Sequence, residues 1–418
     1  MKKHAQSGAV TLVVTSILLI CALVLALGSY KSVFYQIKRA QNEVKARQDY
    51  WKAEGGVECL YAYINNDPNA ISSLSSASNT VLSSTCKNTL GINKLYNESL
   101  SSDVFAIRSE TNYQKVNKNF FYGSKTGLGA IQTTADLRLV GSVDIAPDAP
   151  RTAKSDGTYE CVAVRYKGKV TFVKASSAAK LQTTAPVLNG PYDGFTGDCS
   201  MTHKTIITES RATDTHPSSF KEDYKQDNSL DPFKNYFDIE KTPDNIAAIK
   251  AGYTVVSLPT VTAGETCATV MTDNLTTTSN KLWIEGHCII KTPIALSFPS
   301  SLVVENGIFS VSGSTVFGGS FYHMVNMNSP SFTDVNIGNY WADVDFYSDI
   351  SSLLGTRTIY FDRGAFHPKG GMNFDADSTS RRGEVVLNGS YDLDYSAASN
   401  PVPRPKELKW VAGGWYAN

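Results

Sequence analysis

The sequence predicts an α+β protein with three parts: a long N-terminal membrane-spanning helix, an antiparallel β region behind it, and a β-rich distal domain with the texture of a β-solenoid. Three observations carry this. Ala9 to Gly28 runs without a charge, an amphipathic pattern continues without a proline to Ile64, and beyond it short apolar clusters alternate with Gly, Asn and Ser turns. The aromatic complement of 21 Tyr and 18 Phe fits strands better than helices. With 418 residues the chain exceeds the size at which one core usually stops growing. Its 39 basic and 39 acidic side chains cancel, which argues against a protein built chiefly to coat nucleic acid.

The apolar stretch Ala9–Gly28 has the roughly 20 residues a helix needs to cross hydrocarbon. Three readings compete for it. A signal peptide cut after Gly28 finds small residues at Ala26 and Gly28, but the stretch is longer than a usual signal core. An uncut anchor and a cleaved prepilin are the others. The residues beyond the span favour the prepilin. Val33, Ile37, Ala40, Val44 and Trp51 form one apolar stripe, and Ala53, Val57, Leu60 and Ile64 form a second, with a slip near Gly55-Gly56. A helix from Ala9 to Ile64 would be about 84 Å long.

A short basic start ending in Gly8, an apolar half-helix and an amphipathic half-helix together resemble a type IV prepilin. More narrowly, Gln6-Ser-Gly-Ala-Val-Thr-Leu12 and Trp51-Lys-Ala-Glu-Gly-Gly-Val-Glu58 resemble the PilX group of minor pilins, related in role to the K-type minor pseudopilins of type II secretion. The resemblance covers about the first 64 residues. It implies a leader at 1–8 cut by prepilin peptidase between Gly8 and Ala9, N-methylation of Ala9, and a pilin helix at 9–64 with its transmembrane part at 9–28. Major subunits of that family carry glutamate at the fifth mature position, where this chain has Val13. A carboxylate there would neutralise a neighbour's terminal ammonium in an apolar bundle, where an unpaired charge is costly. A subunit lacking it suits a place where that pairing is not needed, such as a filament tip.

Cys21 lies in the span, and six cysteines come after it: Cys59, Cys86, Cys161, Cys199, Cys267 and Cys288. An even number beyond a membrane segment fits disulfides in an oxidising compartment, against the alternative of reduced cytosolic thiols. Nearest-neighbour pairing is the simplest of the 15 ways to connect six cysteines. Lysine and arginine counts near the span, with Lys2 and Lys3 before it and Lys31, Lys38, Arg39, Lys45 and Arg47 after it, point the other way. The cysteines and the prepilin likeness decide for an inner-membrane protein with its large domain outside the cytoplasm.

Residues 65–252 are read as a pilin-like α/β head with loops. Its Ser- and Asn-rich part, Ile71–Asp103, is a loop-dominated connection stapled by Cys59–Cys86. Thr133–Val140 reads as a strand, and Glu160–Arg165 with Lys169–Lys174 read as a hairpin turning at Lys167-Gly168. Asn245–Ala251 reads as a short helix. Residues 253–418 are the distal domain, where Leu282–Ile284, Leu302–Val304, Ile308–Val311, Thr358–Phe361 and Val385–Leu387 resemble solenoid rungs. A single β-sandwich is the alternative.

No catalytic signature is present, so no enzyme and no cofactor are expected. Gly123–Gly129 has the composition of a phosphate loop without its order. His203, His216, His287, His323 and His367 stand at no metal-ligand spacing and read as surface or core residues. Asp343, Asp345 and Asp349, and Asp375 with Asp377, could line calcium loops but lack the EF-hand pattern, so solvated loops are favoured. Arg357, Asp362, Arg363, Arg381 and Arg382 are the residues a polysaccharide-active enzyme would draw on. Lys409–Tyr416 offers either an adhesive aromatic patch or the cap of a core.

The expected function is a minor pilin that initiates assembly of a type IV pilus or related filament and sits at its tip. Its expected partners are other minor and major pilins, met through the N-terminal helix. A tip adhesin or DNA-capture module with a glycan or DNA ligand is one alternative, and a membrane-anchored β-helical polysaccharide-active enzyme is the other.

Overall fold

A computed structural model describes residues 7–75, 83–101, 103–151, 153–187, 197–213, 219–364 and 366–417. The chain forms two compact units: the first joins Met1–Gly123 to Lys406–Asn418, and the second is Ser124–Pro405.

The first unit is organised by helix α1, Ser7–Asn66, which runs 60 residues without a break. Its C-terminal part obeys the apolar spacing seen in the sequence. Ala53, Val57, Leu60 and Ile64 are all fully buried, and they pack with Leu95, Ile107, Val116 and Phe120 of the sheet beneath and with Ile92 just before its first strand. Burying each of the larger aliphatic side chains contributes about 1.5–3 kcal/mol. The helix continues through Gly55-Gly56, and at Gly56 it packs too closely on its neighbours for a side chain. A Cβ there would stand 2.3 Å from the Ile92 side chain and 2.7 Å from Ser109 Oγ.

The sheet is antiparallel where its first three strands meet. Lys94–Ser99 pairs with Val104–Glu110, and Val104–Glu110 pairs with Lys115–Ser124. The C-terminal strand Lys406–Ala417 completes it beside Lys115–Ser124. An antiparallel sheet on the amphipathic helix is what the sequence led us to expect, but it is built from other residues. Lys94–Ser99 lies within the stretch read as loop, because its alternating polar and apolar residues are diluted by flanking Ser and Asn. The fourth strand comes from the far end of the chain. Trp410 of that strand stacks on Tyr61 of α1 at 3.9 Å, under the Lys118 ammonium at 4.1 Å, and Tyr61 Oη donates to Leu408 O at 3.3 Å. Trp410 therefore belongs to a core.

In the second unit the sheets are mostly parallel. One sheet runs, in spatial order, Tyr224–Gln226, Val164–Tyr166, Ile131–Thr133, Met372–Asp375, Ser320–Met324, Ser301–Glu305, Lys281–Gly286 and Thr254–Leu258, every neighbour pair parallel. The other holds Val170–Val173, Asp136–Ala146, Glu384–Asp394, Thr358–Asp362, Phe309–Val311 and Cys288–Ile290 in parallel, with Arg211–Thr213 antiparallel at one edge. From Lys281 to Asp394 successive strands of these two sheets alternate between them. Such strands are buried on both faces, which explains the continuous apolar runs: Thr358–Asp362 and Ser320–Met324 are buried at every position. Aromatic rings stack between neighbouring strands, as Phe309 does on Tyr360 at 5.2 Å.

The hairpin read at Lys167-Gly168 is corrected. Val164–Tyr166 and Val170–Val173 lie in different sheets and do not pair with each other. Lys167-Gly168 is the corner between them. A Cβ on Gly168 would stand 2.9 Å from the Ala135 carbonyl of the adjacent corner, so two antiparallel-looking runs are in fact two sides of one coil. The run Thr133–Val140 likewise breaks at a corner into Ile131–Thr133 and Asp136–Ala146. The short helix expected at 245–251 is present as Pro243–Lys250, capped by Thr242.

Spatial order departs from chain order in one informative way. Asp136–Ala146, early in the chain, pairs along its whole length with Glu384–Asp394, the last strand of the unit. The unit's two ends meet as well, with Lys125 N–H donating to Pro405 O at 2.7 Å. A module whose ends close on each other can interrupt the strand order of the first unit between Gly123 and Lys406. The units thus divide at Ser124, while the change of texture in the sequence falls at Tyr253. Residues 131–226 carry strands of the same parallel sheets as the residues beyond 253.

Candidate functional site: the bare half of the N-terminal helix

Residues Gly8 to Lys45 of α1 are exposed at every position. Val10, Leu12, Ile17, Leu18, Leu19, Ile20, Leu23 and Leu25 are each more than half exposed, and among the described residues this is the helix long and apolar enough to cross a membrane. Its hydroxyls are satisfied within the helix: Thr15 Oγ1 donates to Thr11 O at 3.0 Å and Ser16 Oγ to Val13 O at 2.9 Å. In hydrocarbon, where no water is available to a free hydroxyl, that back-bonding removes the penalty.

Above the span the two sequence stripes have opposite fates. The second, from Ala53 to Ile64, is buried against the sheet. The first stays bare, with Val33, Ile37, Val44 and Trp51 all at least half exposed. Charges flank it: Arg47 pairs with Glu43 at 2.7 Å, and the Lys38 ammonium lies 4.8 Å from the Phe34 ring. A long rod with an apolar face unmatched by its own chain can insert into lipid below and pack against other apolar helices above. Gly8 and Ala9 lie in the first turns of this rod, and Val13 is exposed on it. The leader residues Met1–Gln6 lie outside the described residues.

The six cysteines form three disulfides in nearest-neighbour order, Cys59–Cys86, Cys161–Cys199 and Cys267–Cys288, leaving Cys21 free in the span. Cys59–Cys86 ties α1 to the turn before the first strand. Cys267–Cys288 ties the helix Cys267–Asn274 to an edge strand.

The remaining candidate residues do not converge on one site. His287 and His323 are core residues. His287 Nδ1 accepts from Ile308 N–H at 3.1 Å, His323 Nε2 donates to Gly307 O at 2.9 Å, and burial lowers each pKa to about 4, so both are neutral. His203 sits between Ser200 and Thr202 hydroxyls, while His216 lies outside the described residues. The aspartates read as calcium candidates are occupied by cations of the chain itself: Asp345 pairs with Lys291, Asp349 with Arg363 at 3.9 Å, Asp375 with Lys241 at 2.6 Å and Asp377 with Lys167 at 2.7 Å. Asp343 caps the helix Asp334–Ala342. Arg357 and Arg381 both bind Asp334, Asp362 is buried and accepts from Phe366 N–H at 3.3 Å, and Arg382 bridges to Asp377 through its backbone. At the loop with phosphate-loop composition, Leu128 N–H donates to the buried carboxylate of Asp148 at 2.8 Å, so that donor is taken by an anion of the chain itself. Trp415 and Tyr416 are partly exposed, with Trp415 Nε1 donating to Glu54 at 3.2 Å.

This arrangement defines a membrane-anchored protein with one N-terminal apolar helix and a large, disulfide-bonded, β-rich region outside the cytoplasm. No family model, no curated protein and no solved structure matches the chain.

Proposed function

We propose that this chain is a pilin-like subunit that packs its bare helix beside those of sister subunits and carries its second unit as a displayed module at the tip of a type IV pilus or related filament. One observation carries the reading. A helix whose upper part packs one face on a four-stranded sheet presents its lower part exposed at every position from Gly8 to Lys45, with an apolar span and an apolar stripe above it. The PilX-like residues flanking Gly8 and Trp51 support it. Val13 supports a minor, initiating role, because no carboxylate is offered to a neighbour's terminal ammonium. The size of the insert supports the tip, where a bulky module has room that a packed shaft denies.

In this reading prepilin peptidase cuts between Gly8 and Ala9, Ala9 is methylated, and the chain waits in the inner membrane for other minor and major pilins. Its work is binding and assembly, with no reaction turned over. We read the alternating parallel strands of the second unit as rungs of a β-solenoid, a rigid surface suited to display. N-terminal sequencing of the mature protein tests the proposal. A first residue of Ala9 supports it; a chain beginning at Met1 or Ser29 removes it.

A further inference from the structure

The bare half of α1 carries a pattern of charge as well as an apolar stripe. Between Ser29 and Gln48 stand five cations, Lys31, Lys38, Arg39, Lys45 and Arg47, against the single carboxylate of Glu43. One flank of the stripe holds Arg39, Glu43 and Arg47, and there Arg47 pairs with Glu43 at 2.7 Å. The other flank holds lysines alone. Lys31, Lys38 and Lys45 recur every seventh residue, which sets them in one ridge along the helix. Among the described residues none of the three makes an ion pair. Lys52, next in the series, pairs with Asp49 at 3.4 Å and ends the ridge.

Ridge and stripe border a shallow groove. Ile37, Ala40 and Val44 line one side and Lys45 the other, with Gln41 and Gln48 between them. By helical angle the lysines lie about 130° round from the stripe, and the intervening row of Phe34, Gln41 and Gln48 is uncharged. A helix lying along this groove would rest apolar side chains on Ile37 and Val44 and bring its flank within reach of the flexible lysine ammoniums. Two other occupants fit less well. Lipid headgroups are out of reach, because α1 runs on unbroken and Lys38 and Lys45 stand about 15 and about 26 Å beyond Gly28, against a screening length of about 8 Å. A second copy, parallel as a shared span requires, would turn its Arg39–Arg47 flank to these lysines. There two cations outnumber one carboxylate.

We infer that the groove takes a parallel helix from a different chain, one whose apolar stripe is flanked by a row of carboxylates facing Lys38 and Lys45. The inference rests on the reading of α1 as a rod packed among sister helices, and adds what the sister must carry. Apolar contact supplies the adhesion, while the charges choose the partner and turn away a second copy.

The full-length chain is reconstituted in phosphatidylcholine vesicles with a photo-cross-linker in place of Gln41. The otherwise wild-type chain is compared with the Arg39→Glu/Arg47→Glu double variant, which gives a second copy the acidic flank the groove calls for. All these positions are exposed, so the thermal transition should not move, and it is recorded alongside. The double variant is expected to cross-link to itself about tenfold more than wild type, since several exposed ion pairs act together. Raising salt from about 0.1 to about 1 M shortens screening from about 10 to about 3 Å and should remove the gain. Adding Lys38→Ala and Lys45→Ala should remove it too. Wild type that self-links as well as the double variant, or a gain that survives high salt or the loss of both lysines, overturns the proposal. So does a DNA duplex that wild type binds and the Lys38→Ala/Lys45→Ala variant releases, which would assign the ridge to nucleic acid. A mature N-terminus other than Ala9 would remove the pilin reading, whereas this result reports on the helix surface whatever the fate of the leader.

Discussion

The two units bury apolar surface by opposite means. The first lays one helical face on an antiparallel sheet, and the helix then runs on with nothing of its own chain to cover it. The second folds parallel strands into sheets whose two faces are both buried, and encloses polar groups to do so: the neutral His287 and His323, and Asp148 held by Arg404 at 2.6 Å. The first unit also encloses polar side chains, Asp49, Asn97 and Ser109 among them, but no buried histidine among its described residues, and one face of its helix stays exposed. The second is closed on itself, and its stability depends on the protonation and pairing of a few interior groups. Two units in one chain should then respond differently to the same perturbations.

Acid separates them most. His287 and His323 titrate at about 4 in the folded chain against about 6.5 when unfolded. Between those values the unfolded state takes up protons that the folded state refuses. The stability is whole above pH 6.5 and is lost as pH falls toward 4, by about 3 kcal/mol for each histidine. The described residues of the first unit contain no histidine. Melting curves at pH 7 and pH 4.5 should show the second unit's transition falling steeply while the first unit moves less. Equal shifts for both would break the comparison.

Next in size is Arg404→Ala. It would strand the fully buried Asp148 carboxylate without its guanidinium, at a cost of about 3–5 kcal/mol. Only the second unit's transition should drop. A neutral outcome in urea unfolding would mean that Asp148 finds water or another donor. Leu60→Ala probes the other unit. It empties a fully buried site under the sheet and should cost about 2–5 kcal/mol there, with the second unit unchanged.

How far the sequence reveals this molecule depends on the range of the interactions involved. Ala53, Val57, Leu60 and Ile64 announce their burial by helical spacing alone, since a helix face is local. The disulfides join nearest neighbours, because each ties segments close in sequence. The sheet partners are less legible. Nothing in Lys406–Ala417 says that it pairs with Lys115–Ser124, and nothing in Asp136–Ala146 names Glu384–Asp394 as its neighbour. Short runs that turn a corner between sheets imitate a hairpin, as Val164–Tyr166 and Val170–Val173 do, until the partner strands are known. Of the candidate site, the apolar spacing of Val33, Ile37, Val44 and Trp51 is legible, but that this stripe stays exposed while Ala53–Ile64 is buried depends on where distant strands pack.

The smallest expected effect is the most telling for the bare half of α1. Ile37 is half exposed with no partner from its own chain, so Ile37→Ala should change thermal stability by less than about 0.5 kcal/mol. Leu60, some six turns further along the same helix, would by then have shown a cost several times larger. On the pilin-like reading proposed above, a residue that is aliphatic, costs little to truncate and continues an apolar stripe through Val44 to Trp51 would meet a surface the isolated chain lacks. Cross-linking in intact cells reads that surface directly. On that reading, Ile37→Ala and Val44→Ala should reduce cross-links from α1 to prepilins of the same cell without reducing the amount of protein in the membrane. If cross-linking is unchanged while stability is also unchanged, the stripe meets only solvent, and the rod above the membrane is a spacer.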